Sequence, residues 1–405
     1  MILGQAAFLS MKIRKTKLLN LLLIAGSFLG ALLLCEVLAR CIYTASDIVP
    51  AHPATDPVLG HRILPFQSGH DSRGFRNAEA TGDFPVVCIG DSQTYGDGIR
   101  RKSAFPQQLG RIIHKRVYNM AMGGYGPVQY YHLLNQAKEL HPQKIIIAFY
   151  LGNDLLDAYY MLERLDHWKW LAADLGPDKQ LDAIPLCTLP CTPVDTDDMF
   201  YAPDIITLKL KESGSLLWRV HSFLRLHSAF YSLQYASVMK PLVQRIFERE
   251  KHLHYPGAFA CGAVDTIFTP GTNLRRVDLG AQRVRQGILI TRRIIKLMAG
   301  KYPKNELMMV FIPTKEAVYY QYLKNKQVSL PNEYTCSVYC EKEITKYLTN
   351  AMTAAGLQVV DLFPALEKAV MEGRQIYHSS TDGHLNVAGS NLVASCLAQA
   401  LEKSR

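Results

Sequence analysis

The chain has 405 residues, of which 48% are hydrophobic and 20% charged, and its formal net charge is +10. A disordered chain has fewer apolar residues and a polytopic membrane protein has several long apolar runs, so both classes are excluded. The length allows two or three domains of about 150 residues each.

One uncharged apolar run near the N-terminus, Leu18 to Cys35, continues after Glu36 and is just long enough, at about 1.5 Å per residue, to cross a hydrocarbon core. No acidic residue precedes it, and by the positive-inside rule everything after Arg40 is expected to be exported. A cleaved signal peptide is the alternative, which the length of the run disfavours. We predict a cytoplasmic basic N-terminus (1–17, with Lys12, Arg14, Lys15 and Lys17) and a transmembrane anchor (18–42).

The cysteines fit export. Cys187/Cys191 and Cys336/Cys340 are two C-x-x-x-C pairs, and Cys261 is left over. In an oxidising compartment, disulfides are the favoured interpretation, with their connectivity open. Four thiolates at this spacing can also hold Zn²⁺, and free thiols are a third alternative. We predict no metal site and no cofactor.

An alternation of strands and helices begins after residues 43–83, which are polar and turn-rich and which we interpret as an extended approach segment. A stretch of about 120 residues, 157–280, lacks this alternation and contains all three Trp residues. We predict strands at 84–89, 117–118, 144–150, 307–312 and 358–361, and helices at 104–115, 128–140, 281–298, 341–355 and 387–403.

Five strands with interleaved helices predict a three-layer α/β/α sheet with right-handed crossovers. The sheet belongs to one domain made of 84–156 and 281–405, and the mostly helical or irregular segment 157–280 is an insertion within it.

Chemically active residues follow the strands, and in doubly wound sheets reactive groups gather at the carboxyl ends of the strands. Ser92 follows the first predicted strand at the start of a helix, where backbone N–H groups favour developing negative charge. Gly124 and Asn153 follow the second and third strands. His384 precedes the last helix, two positions after Asp382. A nucleophile, oxyanion donors, a base and an orienting acid are the groups that acyl transfer needs.

Four motifs in chain order, Gly-Asp-Ser-x-Thr-x-Gly, Asn-(x)4-Gly, Gly-Asn-Asp and Asp-x-His, resemble the signature blocks of the SGNH/GDSL hydrolase superfamily. The resemblance implies a flavodoxin-like fold, Ser92 as nucleophile, His384 as general base and Asp382 as its acid. The oxyanion hole that it implies consists of the backbone N–H groups of Ser92 and Gly124 and the side chain of Asn153.

Two positions depart from the usual motifs. Leu151 stands where the third block has its first glycine, and Thr381 stands where the last block has its acid, with Asp382 one residue closer to His384. The latter spacing is seen in the branch that resembles polysaccharide O-acetyl-modifying proteins. The approach segment, with Leu59-Gly60-His61-Arg62 and Arg73-Gly74-Phe75-Arg76, also resembles a membrane-anchored bacterial branch often tied to cell-envelope glycans.

These features predict a membrane-anchored, exported serine esterase that hydrolyses or transfers O-acyl, foremost O-acetyl, groups on a cell-envelope carbohydrate. Other ester substrates come second. The alternative is a non-catalytic or weakly active SGNH-like protein that binds glycans or assists assembly. Trp168 and Trp170 are candidates for stacking on sugar rings, against the alternative that they pack the insertion's own core. No nucleic-acid partner is expected, and the oligomeric state is open.

Overall fold

The computed structural model describes residues 2–48, 51, 53–78, 81–191, 215–235 and 258–403. It divides into two compact units, the first made of Met1–Pro50 and Tyr201–Ile246 and the second of Ala51–Phe200 and Phe247–Arg405. Parts of the segment 157–280 belong to each unit, and its limits as an insertion stay a prediction.

The helices are α1 (Ile2–Ile42), α2 (Ala45–Ile48), α3 (Ser92–Tyr95), α4 (Phe105–Ile112), α5 (Pro127–Lys138), α6 (Asp154–Arg164), α7 (Lys179–Asp182), α8 (Leu216–His227), α9 (Ala229–Gln234), α10 (Pro270–Val277), α11 (Gln282–Lys301), α12 (Lys315–Asn325), α13 (Asn332–Ala354), α14 (Phe363–Met371) and α15 (Val387–Lys403). The strands are β1 (Ala54–Asp56), β2 (Gly60–Arg62), β3 (Val86–Gly90), β4 (Val117–Ala121), β5 (Lys144–Tyr150), β6 (Phe259–Ala260), β7 (Ile267–Phe268), β8 (Leu307–Ile312) and β9 (Gln358–Asp361). Short 3₁₀ turns lie at Gln67–Gly69, Arg101–Ser103 and Asp166–Leu171.

The first unit is helical in its described part. Within α1, the stretch Leu19–Ile42 is long and apolar enough to cross a membrane. This is the stretch in which the sequence predicts an anchor.

A five-stranded parallel sheet in the order β4-β3-β5-β8-β9 forms the centre of the second unit. Numbered along the chain, this order is 2-1-3-4-5, the flavodoxin-like arrangement. The predicted α/β/α fold is therefore confirmed.

The sheet is covered on both faces, which is why its strands are nearly continuous apolar runs. In β5, Ile145 and Ile147 point into one core while Ile146 and Ala148 point into the other. Helices α5, α6, α11 and α13 contribute to the first core, and α4, α12, α14 and α15 to the second.

The described part of the approach segment is not extended, which corrects the expectation for residues 43–83. Strands β1 and β2 form a small antiparallel pair there, and Leu59, Ile63 and Phe75 are buried in the first core. The segment from Ala51 onward therefore belongs to the second unit.

Several helices of the second unit were not predicted as such, among them α6, α10, α12 and α14, and α13 begins nine residues before the predicted 341. The start of α12 carries a local signal, because the Thr314 side chain accepts a hydrogen bond from the Ala317 N–H at 3.3 Å.

One disulfide, Cys187–Cys336, joins the loop after α7 to helix α13. Cys191, Cys261 and Cys340 are thiols. Among the residues that the structure describes, no group of three or more His, Cys, Asp or Glu side chains is placed to hold a metal ion.

Cys336→Ser is expected to lower the free energy of unfolding by about 2–4 kcal/mol, because the bridge restricts the unfolded chain across a separation of 149 residues. Denaturant unfolding of the full chain in detergent, followed by near-ultraviolet circular dichroism, measures this loss. Cys261→Ser, which removes a thiol outside the bridge, is the matched control. Equal midpoints for both variants would contradict the prediction.

Candidate active site

Ser92 lies at the first position of α3, two residues after the end of β3, the strand between β4 and β5. The Asp91 side chain caps this helix by accepting the Gln93 N–H at 2.9 Å. A side chain at Gly90 would collide with Thr94, whose Oγ1 lies 2.0 Å from the position of an added Cβ. The glycine therefore allows the helix to turn back tightly over the strand, with Ser92 half-buried at its tip.

His384 is paired with Asp382. The Nδ1 atom of His384 lies 2.5 Å from Asp382 Oδ1, and the same oxygen accepts the His384 backbone N–H at 2.9 Å. The carboxylate thus fixes both the ring and the backbone of the histidine. The spacing of two residues, which departs from the usual motif, still permits the pairing that the sequence predicts.

Gln93 connects Ser92's helix to the loop of His384. Its Nε2 donates to the Gly383 carbonyl at 3.0 Å, and its Oε1 accepts the Leu385 N–H at 3.1 Å. The side chain is 4% exposed, so water competes little for these bonds. The residue next to Ser92 is therefore bonded to both neighbours of His384, and this brings the two candidate catalytic residues to one edge of the sheet.

Lys315, the first residue of α12, holds the same loop by hydrogen bonds. Its buried ammonium group donates to the carbonyl oxygens of Ile267, Ser380 and Asp382 at 2.6, 2.8 and 3.1 Å. Burial lowers the pKa of this lysine, while Glu316 and Asp382 raise it. Three acceptors use all three donors of the ammonium group and fix the backbone that carries Asp382.

The loop after β4 lies against Ser92. A Cβ added to Gly123 would be 3.7 Å from Ser92 Cβ, and the following residue, Gly124, has a φ of +76°. His61 of strand β2 holds this loop through a bond of 2.8 Å between its Nε2 and the Gly123 carbonyl. Tyr125 completes the attachment by donating its hydroxyl to the His61 carbonyl at 2.9 Å.

Asn153 lies at the start of α6, beyond the neighbouring strand β5. Its Nδ2 donates to Asp157 Oδ2 at 2.5 Å, and its Oδ1 is buried without a hydrogen-bond partner. An amide nitrogen carries two hydrogens, so one remains available for a substrate oxygen. Asp157 thus orients the amide that is predicted to be an oxyanion donor.

Carboxyl groups crowd this edge of the sheet. Burial raises the pKa of Asp91 to about 6, although the nearby His384 lowers it, and burial raises the pKa of Asp157 to about 7. Burial lowers the pKa of His384, but the bond and charge of Asp382, with the charges of Asp97 and Asp91, outweigh it and raise the pKa to about 9. The pKa of Asp382 is held well below its ordinary value by His384, despite burial.

Polar residues of the approach segment brace Ser92's helix. The buried Arg76 donates to the carbonyls of Gly96 and Ile99 at 2.7 and 2.9 Å, beyond the end of α3. Asn119, whose N–H is accepted by Asn77 Oδ1 at 2.9 Å, donates its side-chain amide to the Thr94 carbonyl at 2.9 Å. The asparagine of the second motif is thus a support for α3.

The two predicted stacking tryptophans differ. Trp168 is 4% exposed, and its indole N–H donates to the Val58 carbonyl at 2.7 Å. Its ring is therefore unavailable for stacking on a sugar, which corrects that expectation in favour of core packing. Trp170 is 43% exposed and remains a candidate.

The strand order is flavodoxin-like, with a serine after the first strand of the sheet and an Asp-x-His pair before the last helix. Residues 291–405 match the family described as "SGNH hydrolase-like domain, acetyltransferase AlgX". The resemblance inferred from the motifs is thereby confirmed. The matched part contains Asp382 and His384, while Ser92 lies outside it.

Two solved structures match most of the length of this chain but superpose on it weakly. One is a protein assigned to the G-D-S-L family of lipolytic proteins from Desulfitobacterium hafniense DCB-2, with 14% identity over 78% of this chain and 97% of that chain and a TM-score of 0.31. The other is LAE5, an alpha/beta hydrolase enzyme from the metagenome of Lake Arreo, Spain, with 11% identity over 80% and 99% and a TM-score of 0.34. The fold assignment therefore rests on the strand order of this chain. No curated protein matches the sequence.

Sequence reasoning did not find Gln93, Lys315, His61 or Asp157 as parts of the site. Gln93 directly follows Ser92, and Asp157 lies one helical turn after Asn153. This closeness to motif residues is the local signal that could have identified both as parts of the site. Lys315 and His61 carry no signal of their own, because they act on the backbone of loops that are distant in the chain.

The kcat/KM for an activated ester is expected to rise between pH 6 and about 9, because a general base must be deprotonated and the pKa of His384 is raised to about 9. Asp382→Asn removes the main cause of this shift, so the midpoint should move to lower pH while the rate falls steeply. A pH series with p-nitrophenyl acetate measures both effects. A midpoint that stays in place in Asp382→Asn would contradict the assignment of this limb to His384.

Gln93→Met is expected to lower kcat by about 10- to 100-fold with little change in KM, because losing both bonds lets the His384 loop move away from Ser92. Gln93→Glu keeps the acceptor for the Leu385 N–H and should retain an intermediate rate. Gln321→Met, on an exposed face of α12, is the matched control. Steady-state kinetics of the four proteins test the order, and equal rates for Gln93→Met and the control would refute it.

Proposed function

We propose that this protein is a membrane-anchored SGNH-type enzyme that hydrolyses or transfers O-acyl, foremost O-acetyl, groups of a cell-envelope carbohydrate. The observation that carries the proposal is the pair of bonds from Gln93 to the Gly383 carbonyl and the Leu385 N–H. These bonds support the proposal because they attach the loop of His384, which is paired with Asp382, to the helix that begins at Ser92.

In the proposed reaction, Ser92 Oγ attacks the ester carbonyl while His384 Nε2 takes the hydroxyl proton. Asp382 keeps the other ring nitrogen, Nδ1, protonated and stabilises the imidazolium that forms. Ser92 Oγ now donates to Asp91 Oδ2 at 3.4 Å, which is a weak bond, and a rotation about χ1 turns the hydroxyl from Asp91 toward His384.

The negative charge that develops on the carbonyl oxygen is stabilised by the N–H groups of Ser92 and Gly124 and by the second Nδ2 hydrogen of Asn153. His384 returns its proton to the leaving alcohol, and an acyl group remains on Ser92. Water then attacks this acyl-enzyme in hydrolysis, or a sugar hydroxyl attacks it in transfer, with His384 again taking the proton. The bond between the acyl carbon and Ser92 Oγ breaks, and His384 gives this proton to Oγ, which restores the free serine.

Acetyl transfer to a carbohydrate is the form of the reaction that the family description favours, since it names an acetyltransferase. The half-exposed Trp170 offers an aromatic face for a sugar ring.

Helix α1 anchors the enzyme in this proposal, with its basic N-terminal part in the cytoplasm and the second unit exported. The disulfide Cys187–Cys336 supports an oxidising compartment for that unit.

Ser92→Ala is expected to abolish both hydrolysis of p-nitrophenyl acetate and covalent labelling by a fluorophosphonate probe, since both need the serine oxygen. The full chain in detergent micelles is the material for both measurements. Ser72→Ala, an exposed serine of the same unit, is the matched control and should behave as wild type.

Adding acetylated and non-acetylated oligosaccharides to the same assay separates transfer from hydrolysis, because transfer yields an acetylated sugar that mass spectrometry detects. Labelling and turnover that persist in Ser92→Ala would refute the assignment of the nucleophile. A wild-type protein that shows neither labelling nor turnover would favour the alternative of a glycan-binding or assembly protein.

A further inference from the structure

Helix α8 exposes its apolar side. Leu216 and Leu217 are 75% and 78% exposed, and Val220 and Phe223 are 48% and 60% exposed. The spacing of these four positions places them on one side of a helix. Single apolar side chains on a surface need no explanation, but a contiguous apolar patch marks an interaction surface.

The polar side of α8 is the side that packs. His221 Nδ1 lies 2.9 Å from the Tyr231 hydroxyl, and the Arg225 guanidinium lies 4.4 Å from the centre of the Tyr235 ring. Ser232 Oγ donates to the Arg225 carbonyl at 2.7 Å. The usual arrangement of a helix in water is thus inverted: polar groups contact α9 and the segment after it, and apolar groups face outward.

The hairpin of α8 and α9 is joined to α1 by charged hydrogen bonds. The Glu36 carboxylate accepts from Ser228 Oγ at 2.8 Å and from the N–H groups of Ala229 and Phe230 at 2.9 Å each. Arg40 pairs with Glu36 at 2.7 Å and donates to the His227 carbonyl at 2.9 Å. An acidic residue within an apolar span is costly unless it is paired, and here it is fully used to hold the hairpin.

These bonds fix the position of α8 along the span. Glu36 lies six residues, or about 9 Å of helix rise, before the end of the apolar stretch at Ile42. A depth of about 9 Å inside the end of the span lies within the roughly 5–10 Å to which interfacial helices bury their apolar side. The hairpin also carries Trp218, Tyr231 and Tyr235, the residue types that are enriched at this boundary.

We propose that α8 is an interfacial helix that lies in the bilayer surface at the C-terminal end of the α1 span, with Leu216, Leu217, Val220 and Phe223 inserted among the lipids. The occupant of the exposed apolar side is the lipid boundary itself, as for other amphipathic helices of this kind. The inference goes beyond the proposed enzymatic function and rests only on the proposal that α1 crosses a membrane.

The hydrogen bonds that join the hairpin of α8 and α9 to α1 favour lipid over other occupants of the apolar side of α8. A helix bonded to the last turns of a membrane span meets lipid without any further association event. A second copy of the chain could cover the same side chains only by assembly in the membrane, which depends on the protein concentration.

The test uses the full chain in phosphatidylcholine liposomes that contain a photoactivatable diazirine phosphatidylcholine. After irradiation, tryptic peptides are analysed by mass spectrometry. Cleavage at Arg219 and Arg225 releases the peptide 220–225, which contains Val220 and Phe223. Lipid adducts are expected on this peptide as well as on peptides of Leu19–Ile42.

Phe223→Glu should reduce adducts on the peptide 220–225 roughly tenfold, because a carboxylate avoids the hydrocarbon region, whereas Phe223→Leu should retain them. Hydrogen exchange of the Ala229 and Phe230 amides, which are bonded to Glu36, should be unchanged in both variants and shows that the hairpin is intact.

Adducts confined to Leu19–Ile42 would overturn the inference and leave the anchor in place. Lipid adducts on neither segment would overturn both this inference and the proposal that α1 crosses a membrane. Adducts on 220–225 that disappear as the protein-to-lipid ratio rises would show that a second copy covers α8, and this result would also overturn the proposal.

Discussion

The candidate site depends on the position of β3 between β4 and β5. The chain passes from β3 to β4 on one side and then crosses to β5 on the other, and in doubly wound sheets ligand sites are expected at the carboxyl ends of strands at such a switch point. Ser92 follows the carboxyl end of β3, with Gly123 beside it and Asn153 beyond β5. A parallel sheet brings the carboxyl ends of its strands to the same edge, and the motif residues that follow β3, β4 and β5 lie at this edge.

The number of hydrogen-bond donors around a buried carboxylate decides how well its charge is stabilised. Asp71, which is buried, accepts from the N–H groups of Arg73 and Phe75, the side-chain amide of Asn77 and the Tyr118 hydroxyl, and four donors compensate its desolvation. Asp91 lacks such a set of donors, and burial raises its pKa to about 6. The negative charges of Asp382, Asp97 and Asp91 favour the protonated imidazole of His384. Asp382, which orients the histidine, thus also raises its pKa, and with it the pH above which the proposed base is deprotonated.

The sequence predicts the sheet well because its signal is local. The run at 144–150 coincides with β5, and Asp382 and His384 are close enough in sequence for their pairing to be anticipated. The approach segment was misjudged because the carbonyls that accept from its buried Arg76, and the Tyr118 hydroxyl that donates to its buried Asp71, lie outside the segment. Trp168 and Trp170 are alike in sequence, and only the packing of the turn that carries them buries one and exposes the other.

Gln93 is separated along the chain by 290 residues from Gly383 and by 292 residues from Leu385, the two residues to which its side chain is bonded. Such contacts close late in folding, because the entropy of a very long loop has to be overcome first. Synthesis proceeds from the N-terminus, so the segment with Ser92 emerges long before the segment with His384. The proposed nucleophile and its base therefore remain separate throughout most of the chain's biogenesis, and reactivity appears only as one of the last events of maturation.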